Sequence, residues 1–311
     1  MSSSKHWILA AAVLALTSAL LSGCGTSDPA ATRSTITATA IPSATLSAVA
    51  QQHADQGFAQ LEGQFHAHLG VYVLDTGTGR ALSYQANDRF AFCSTYKALA
   101  AGILLKRDTD AQLDQVLRYR STDLVEYSPI TSQHVGTGMS LRDLITAAVR
   151  YSDNTAANLL LGQLGGPEGL QAALRGLGDP TTQVDRLEPA VNAATPGDIR
   201  DTSTADALGT DLREFVLGIV LPAGRRQQLA DLLLGNTTGG PYIRAGVPAG
   251  WKVGDKTGNG GYGTRNDIAI VWPVTGAPFV VAVLSDRGTP NASSDDALIA
   301  DATKTAIAAF G

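Results

Sequence analysis

Ser94, Thr95, Tyr96 and Lys97 set a hydroxyl and an amine three residues apart, hence one turn apart on one face if Ser94 opens a helix that Ala98 to Leu105 continues. Such an amine suits the role of activating base for a nucleophile. A serine at a helix start also has unpaired backbone N–H groups around it, its own included, and one of these can stabilise the oxyanion that forms on attack. Alone the spacing says little, because a Ser and a Lys three apart arise by chance about once in a chain of this length. Two further clusters give it weight. Ser152-Asp153-Asn154 lies between two helical patterns, and Lys256-Thr257-Gly258 lies on strand-like sequence after Trp251.

The elements that must position these groups can be read from periodicity. Leu46 to Leu69 carries a helical pattern, and Val71–Leu74, the turn Asp75-Thr76-Gly77-Thr78-Gly79 and Ala81–Tyr84 read as a hairpin. From Thr95 to about Asp211 and on to Leu234 the pattern is mostly helical. Within it Ser140 and Asp143 form a capping-box-like start and Gly165-Gly166 a stop. Gly250–Gly254, Asn266–Trp272 and Pro278–Ser285 read as three strands. A last helix is expected from Ser293 or Ser294 to Phe310, with Asp295 and Asp296 suiting its N-terminal dipole. Terminal segments of α plus sheet thus bracket a helical insert. This implies an α/β part, about 45–90 and 236–311, and an all-α part, about 91–235, with a cleft between them where ligand sites tend to lie.

The 311 residues are 44% apolar and 16% charged, which suits a globular enzyme with a substantial core. A net charge of -5 offers no broad basic field, so nucleic acid is not an expected partner. Near the N-terminus Lys5 precedes an apolar run from Trp7 to Leu21, too short to span a bilayer comfortably, which reads as an export signal over residues 1–24. Leu21-Ser22-Gly23-Cys24 resembles a bacterial lipobox, implying a lipid anchor on Cys24 and a place on the extracytoplasmic side of the membrane, with partial release. Residues 25–44, rich in Thr, Ser, Ala and Pro, read as a flexible tether to a domain spanning 45–311. With Cys24 acylated only Cys93 remains, so no intramolecular disulfide is expected.

Ser-x-x-Lys, Ser-Asp-Asn and Lys-Thr-Gly in this order resemble the signature of active-site-serine penicillin-recognising enzymes. Between the second and third, Arg186-Leu187-Glu188-Pro189-Ala190-Val191-Asn192, continuing to Asp198-Ile199-Arg200-Asp201-Thr202, resembles the omega loop of class A β-lactamases. The resemblance covers roughly residues 45 to 311. It implies a two-subdomain fold, an antiparallel sheet flanked by terminal helices plus an all-α subdomain, that acts as a monomer without metal or cofactor. By resemblance, Ser94 is the acylated nucleophile, Lys97 or Glu188 through a water its activating base, and Ser152, linked to Lys97 and Lys256, the proton donor to the leaving nitrogen. Glu188 matches the deacylating base, Asn192 the residue that helps hold the hydrolytic water, and Arg186 and Asp201 the charged pair that closes the loop. Tyr127 matches an aromatic gatepost, Asn154 a contact to the drug's side-chain amide, and Gly258 and Asn259 the strand edge that supplies an oxyanion donor. Thr257 and Arg265 match the grip on the substrate carboxylate, for which the planar Arg fork is suited. The ligands so implied are β-lactam antibiotics and mechanism-based inhibitors.

The nearest alternatives share the three motifs: a D,D-peptidase, and a penicillin sensor whose acyl adduct is its signal. Glu188 separates both from a lactamase, because neither needs a base that hydrolyses the adduct quickly. A metallo-hydrolase is disfavoured, since His66-Ala67-His68 has no nearby carboxylate in sequence. Two departures from the family pattern bear on substrate range. Cys93 precedes Ser94 as in carbapenem-hydrolysing relatives, yet the position of its disulfide partner holds Gly260, and Asn259 is not the commonest residue after Lys-Thr-Gly.

Overall fold

The computed structural model describes residues 46–311, so the export signal, Cys24 and the whole tether over 25–44 lie outside the described residues. Ser47 caps α1 (Ala48–Phe65) by accepting from Ala50 N at 3.2 Å. The helix ends earlier than its pattern suggested, because His66 turns left-handed at φ 49° and returns its N–H to Glu62 O. His68 then opens β1 (His68–Asp75), which the Asp75 turn joins to β2 (Ala81–Tyr84). In that turn the Asp75 carboxylate accepts from Gly77 N at 2.9 Å and Thr78 N at 3.3 Å.

The middle of the chain runs through β3 (Phe90–Ala91), a 3-10 turn over Cys93–Thr95, α2 (Tyr96–Arg107), α3 (Asp110–Leu113), β4 (Val116–Leu117) and β5 (Met139–Ser140). It continues with α4 (Leu141–Arg150), α5 (Asn154–Leu164), α6 (Pro167–Leu177), β6 (Thr202–Ser203), α7 (Ala205–Val216), α8 (Ala223–Leu234) and α9 (Ile243–Gly246). Ser140 does cap α4, accepting from Asp143 N at 3.1 Å, and Gly165 ends α5 at φ 90° just before Pro167 opens α6. This region is less helical than expected: 118–138 and 178–201 are largely irregular, and side chains rather than backbone ladders hold them. The chain closes with β7 (Lys252–Asn259), β8 (Arg265–Trp272), β9 (Phe279–Asp286) and α10 (Asp296–Ala308). β7 starts later than Gly250 because that glycine takes φ +87°, so the whole Lys-Thr-Gly-Asn segment lies on the strand.

The five long strands form one antiparallel sheet in the order β2-β1-β9-β8-β7. Both faces are covered, and strand alternation divides the apolar residues between them. Ala269, Val271, Val281 and Val283 pack with Phe58, Leu298 and Ile299 of α1 and α10. Their neighbours Ile268, Ile270, Val280, Ala282 and Leu284 join the larger core of the helical region, with Leu99, Leu104, Leu208 and Phe215. Double coverage explains why β8 and β9 read as nearly unbroken apolar runs. Helix α2 is buried from Tyr96 to Leu105, and Gly102 permits its close approach to α7, since a Cβ there would lie 2.7 Å from the Phe215 ring. Deleting a core side chain such as Leu99 costs about 2–5 kcal/mol.

Candidate active site

Three segments converge on a cleft of about 210 Å³ lined by Ser94, Tyr127, Ser152, Asn154, Asn192, Thr238, Thr257 and Asn259. The first is the 3-10 turn that feeds α2, which carries Ser94 at the cleft and sends Lys97 inward, fully buried. The second is the junction of α4 and α5, where Asp153 caps α5 by accepting from Ala156 N at 2.8 Å. Its carboxylate also takes N–H bonds from Ile130 and Thr131, both 2.9 Å, tying the irregular segment below Tyr127 to the junction. The third is strand β7, which among the described residues has no strand partner on its outer side and packs against the turn bearing Ser94. Gly258 makes that approach possible: a Cβ there would lie 2.7 Å from Phe92 O and 3.2 Å from Cys93 Cβ.

Beneath the cleft the charged groups are bonded to one another. Lys97 Nζ donates to Asn154 Oδ1 at 2.6 Å and Ser152 O at 2.9 Å, and lies 3.0 Å from Glu188 Oε1. Lys256 Nζ donates to Ser152 Oγ at 3.1 Å and Thr257 O at 3.0 Å. The Ser152 hydroxyl therefore lies between two amines, Lys97 being 3.5 Å away. Burial pushes the Lys97 amine below its ordinary range while Glu188 opposes that shift. Lys256 is likewise lowered, to about 7, by burial and then by the Lys97 charge. Both amines can thus give up protons more readily than a solvated lysine.

Glu188 is buried and held at both ends. Asn158 clamps its backbone, accepting from Glu188 N at 2.8 Å and donating to Glu188 O at 3.0 Å. Tyr96 OH donates to its Oε1 at 3.3 Å, and Asn192 Nδ2 donates to its Oε2. Among the described residues Asn192 Oδ1 has no partner, leaving an acceptor free next to the carboxylate. The loop is closed where Arg186 meets the buried Asp201, whose Oδ1 also accepts from Asp185 N at 2.8 Å and Arg186 N at 3.0 Å. Cys93, Tyr127 and Ser152 all take left-handed φ values, 49°, 61° and 57°. Strain of about 1–3 kcal/mol at each is held in place by the surrounding bonds, as is common at functional sites.

The chain as a whole resembles known enzymes. A model described as the β-lactamase enzyme family matches residues 54–310. A β-lactamase of Amycolatopsis lactamdurans is 56% identical over 257 residues, 83% of this chain and 85% of that protein. The β-lactamase AST-1 of Nocardia asteroides is 48% identical over 305 residues, 97% and 94% of the two chains. The chain belongs to the class A β-lactamase family. Among solved structures, the class A β-lactamase of Clostridium kluyveri superposes with a TM-score of 0.81 at 48% identity, covering 82% of this chain and 98% of that one. As a class A β-lactamase, the protein is a hydrolase built on a sheet with flanking helices.

The structure brings together all but one of the residues singled out for the cleft, while Cys24 lies outside the described residues. Ser94, Ser152, Asn154, Asn192, Tyr127, Thr257 and Asn259 line the cleft, Lys97, Glu188 and Lys256 lie directly beneath it, and Gly258 backs Ser94. Arg265 does not line the cleft: its Nε donates to Asp296 Oδ1 at 2.9 Å and its Nη1 to Thr264 O at 3.2 Å. Both ends of the Asn154 amide are engaged, Nδ2 donating to Glu126 O at 2.9 Å. Tyr127, 57% exposed, stands at the rim. At Gly260 a Cβ would come 2.6 Å from Cys93 Sγ, so the two positions do face each other as the family pattern implies. His68 lies 3.7 Å from Asp286 and pairs with Asp88 at 3.2 Å, and these carboxylates raise it to about 9 against its partial burial. Sequence reading missed Asn158, Thr238 and Tyr242, since Asn, Thr and Tyr outside a motif carry no spacing signal. A roomier groove of about 560 Å³, between Val116 and Tyr151, is lined by Ser140 and Asp143, whose 2.6 Å hydrogen bond belongs to the cap of α4.

Proposed function

We propose that the enzyme hydrolyses the β-lactam amide of penicillins and cephalosporins through an acyl-enzyme on Ser94, freed by water that Glu188 activates. The observation that carries this reading is the Glu188 carboxylate, buried beside Ser94's cleft between Lys97 and Asn192. Ser94 Oγ attacks the lactam carbonyl while its proton passes to Lys97, whose burial favours the neutral amine. Ser152, between Lys97 and Lys256, relays a proton to the departing ring nitrogen as the C–N bond breaks. Ser94 N–H and the N–H of Asn259 at the strand edge hold the oxyanion, each such donor worth about 10²–10³ in rate. A water then accepts a place between Glu188 and the free Asn192 Oδ1, loses its proton to Glu188 and attacks the ester, and Ser94 leaves with a proton. The product is the ring-opened acid, and its formation confers β-lactam resistance.

The test is mass analysis with a slowly released β-lactam. Wild type should gain one drug mass on the peptide holding Ser94, and Ser94→Ala should gain none; labelling that persists in the variant removes Ser94 as nucleophile. We also propose that the chain is exported and held at the outer face of the membrane through acyl chains on Cys24, with residues 25–44 as tether and 45–311 as a monomeric catalytic domain. The lipobox-like Leu21-Ser22-Gly23-Cys24 supports the anchor.

A further inference from the structure

Two side chains that the mechanism leaves unused hold the strand-edge residues it needs. Thr238 Oγ1 lies 2.6 Å from Thr257 Oγ1, and the Tyr242 hydroxyl donates to Asn259 Oδ1 at 2.8 Å. Both come from the segment joining α8 to α9, which is fixed to the sheet. Asn236 Nδ2 donates to Asp255 Oδ2 at 2.9 Å, Arg244 Nε to Asp255 Oδ1 at 2.8 Å, and Ile243 N to Asp267 Oδ2 at 3.1 Å. Tyr242 is only 4% exposed, and burial pushes its phenol up, so it keeps its proton and serves as a donor.

A primary amide has one acceptor end and one donor end. With Oδ1 held by the phenol, Asn259 offers its nitrogen to the cleft it lines. Arg265, the cation assigned by resemblance to the substrate carboxylate, is instead bonded to Asp296, which offsets its charge. Resting on the acyl-enzyme reading, we propose that Tyr242 is a positioning residue that orients the Asn259 amide so that its Nδ2 donates to the anionic group of the substrate. Recognition of that carboxylate then depends on a neutral amide at the end of β7, with the Thr238–Thr257 hydroxyl pair beside it.

The test compares a penicillin with its methyl ester, which carries the same lactam without the negative charge, on the full chain. Tyr242→Phe keeps the buried ring and removes only the hydroxyl. It should lower kcat/KM for the acid about 3- to 10-fold, through KM, and leave the ester nearly unchanged, the loss expected for one hydrogen bond made equally in ground and transition states. Asn259→Asp still accepts from Tyr242 but presents an anion to the cleft, so it should cut the acid more than about 10-fold further than it cuts the ester. Adding Tyr242→Phe to Asn259→Ala should change nothing further, because the phenol acts through the amide. The proposal is overturned if Tyr242→Phe lowers acid and ester alike, if Asn259→Asp treats them alike, or if the two losses add. Failure of wild type to turn over either compound would instead overturn the acyl-enzyme reading, and this proposal with it.

Discussion

Replacing Glu188 with Gln keeps the volume of the side chain and its reach to Tyr96 and Asn192 but removes the charge from beside a fully buried ammonium. The Lys97 Nζ to Glu188 Oε1 distance of 3.0 Å corresponds to an attraction of about 5 kcal/mol at an effective dielectric of ~20. Removing one partner of such a pair costs about 3–5 kcal/mol when the other stays charged. Lys97 can escape that cost by releasing its proton, because Glu188 is the main group that raises its pKa against burial. The variant's Lys97 pKa therefore falls below the already lowered wild-type value. Below both values the stability penalty is present in full, and it disappears as pH rises through the wild-type value. The neutral amine left behind is still one turn from Ser94, so acylation survives. Deacylation loses its base, a loss of about 10²–10⁴-fold. Stopped-flow traces with a penicillin should show a burst of one equivalent and then slow turnover, with the adduct visible by mass within the burst. Melting curves should show a Tm deficit that is largest at the acid side of the lowered Lys97 pKa and shrinks as pH rises through it. Turnover near the wild-type rate would refute Glu188 as the deacylating base. A deficit independent of pH would refute proton release by Lys97, and a wild type that itself stalls after one equivalent would point to a penicillin target or sensor.

Asp211 is buried, and burial, then Asp179 and less strongly Glu214, raise its carboxyl to about 8 against the pull of Arg175. Its proton stabilises the fold in full below about pH 4 and that stability is lost as pH rises through about 8, so Asp211→Asn should flatten Tm across this window and raise it at the alkaline end. An unchanged pH slope in thermal melts would exclude Asp211 as its source. Cys93 is a buried free thiol raised by burial and by the Glu188 charge, so a thiol reagent should react slowly with native protein and quickly with one thiol per soluble domain after denaturation, with or without reductant. Fractionation of cells should find wild type with the membrane and Cys24→Ser released from it; release of both alike would remove the lipid anchor.

Much of this site was legible because its parts are charged or hydroxylic residues at fixed helical spacings. Ser94 and Lys97, Asp153 as cap and Asn154 beside it, and Glu188 with Asn192 each owe their position to one turn of local structure. The strands β8 and β9 were legible as apolar runs, because the sheet is buried on both faces. Contacts across the fold were not legible in the same way. Nothing local links Asn158 to the Glu188 backbone 30 residues on, or Tyr242 to Asn259 17 residues on. The Arg265 expectation shows the converse limit, since the strand was expected from Asn266, one residue past Arg265, and its partner, Asp296 on the last helix, decides where the guanidinium is held. Boundaries slipped where one backbone angle decided them, at left-handed His66 and at Gly250.

The same contacts explain how the fold tolerates an arrangement that is unfavourable in isolation. Lys97 and Lys256 are both fully buried amines flanking one hydroxyl, and Cys93, Tyr127 and Ser152 hold left-handed backbone around it. Several kcal/mol of desolvation and strain are concentrated within a few residues. What offsets them lies outside the cleft: the apolar α2 packed on α7, the Asp153 carboxylate taking three backbone N–H groups, and the buried Asp201 tying the two ends of the omega loop. Weakening any of these should therefore act on catalysis as well as on stability, because each sets the distance between a base and Ser94. Changes at the solvent-facing residues of α1, or of α10 beyond Asp296, should lower or raise Tm with no effect on the rate, since those helices cover the opposite face of the sheet from α2.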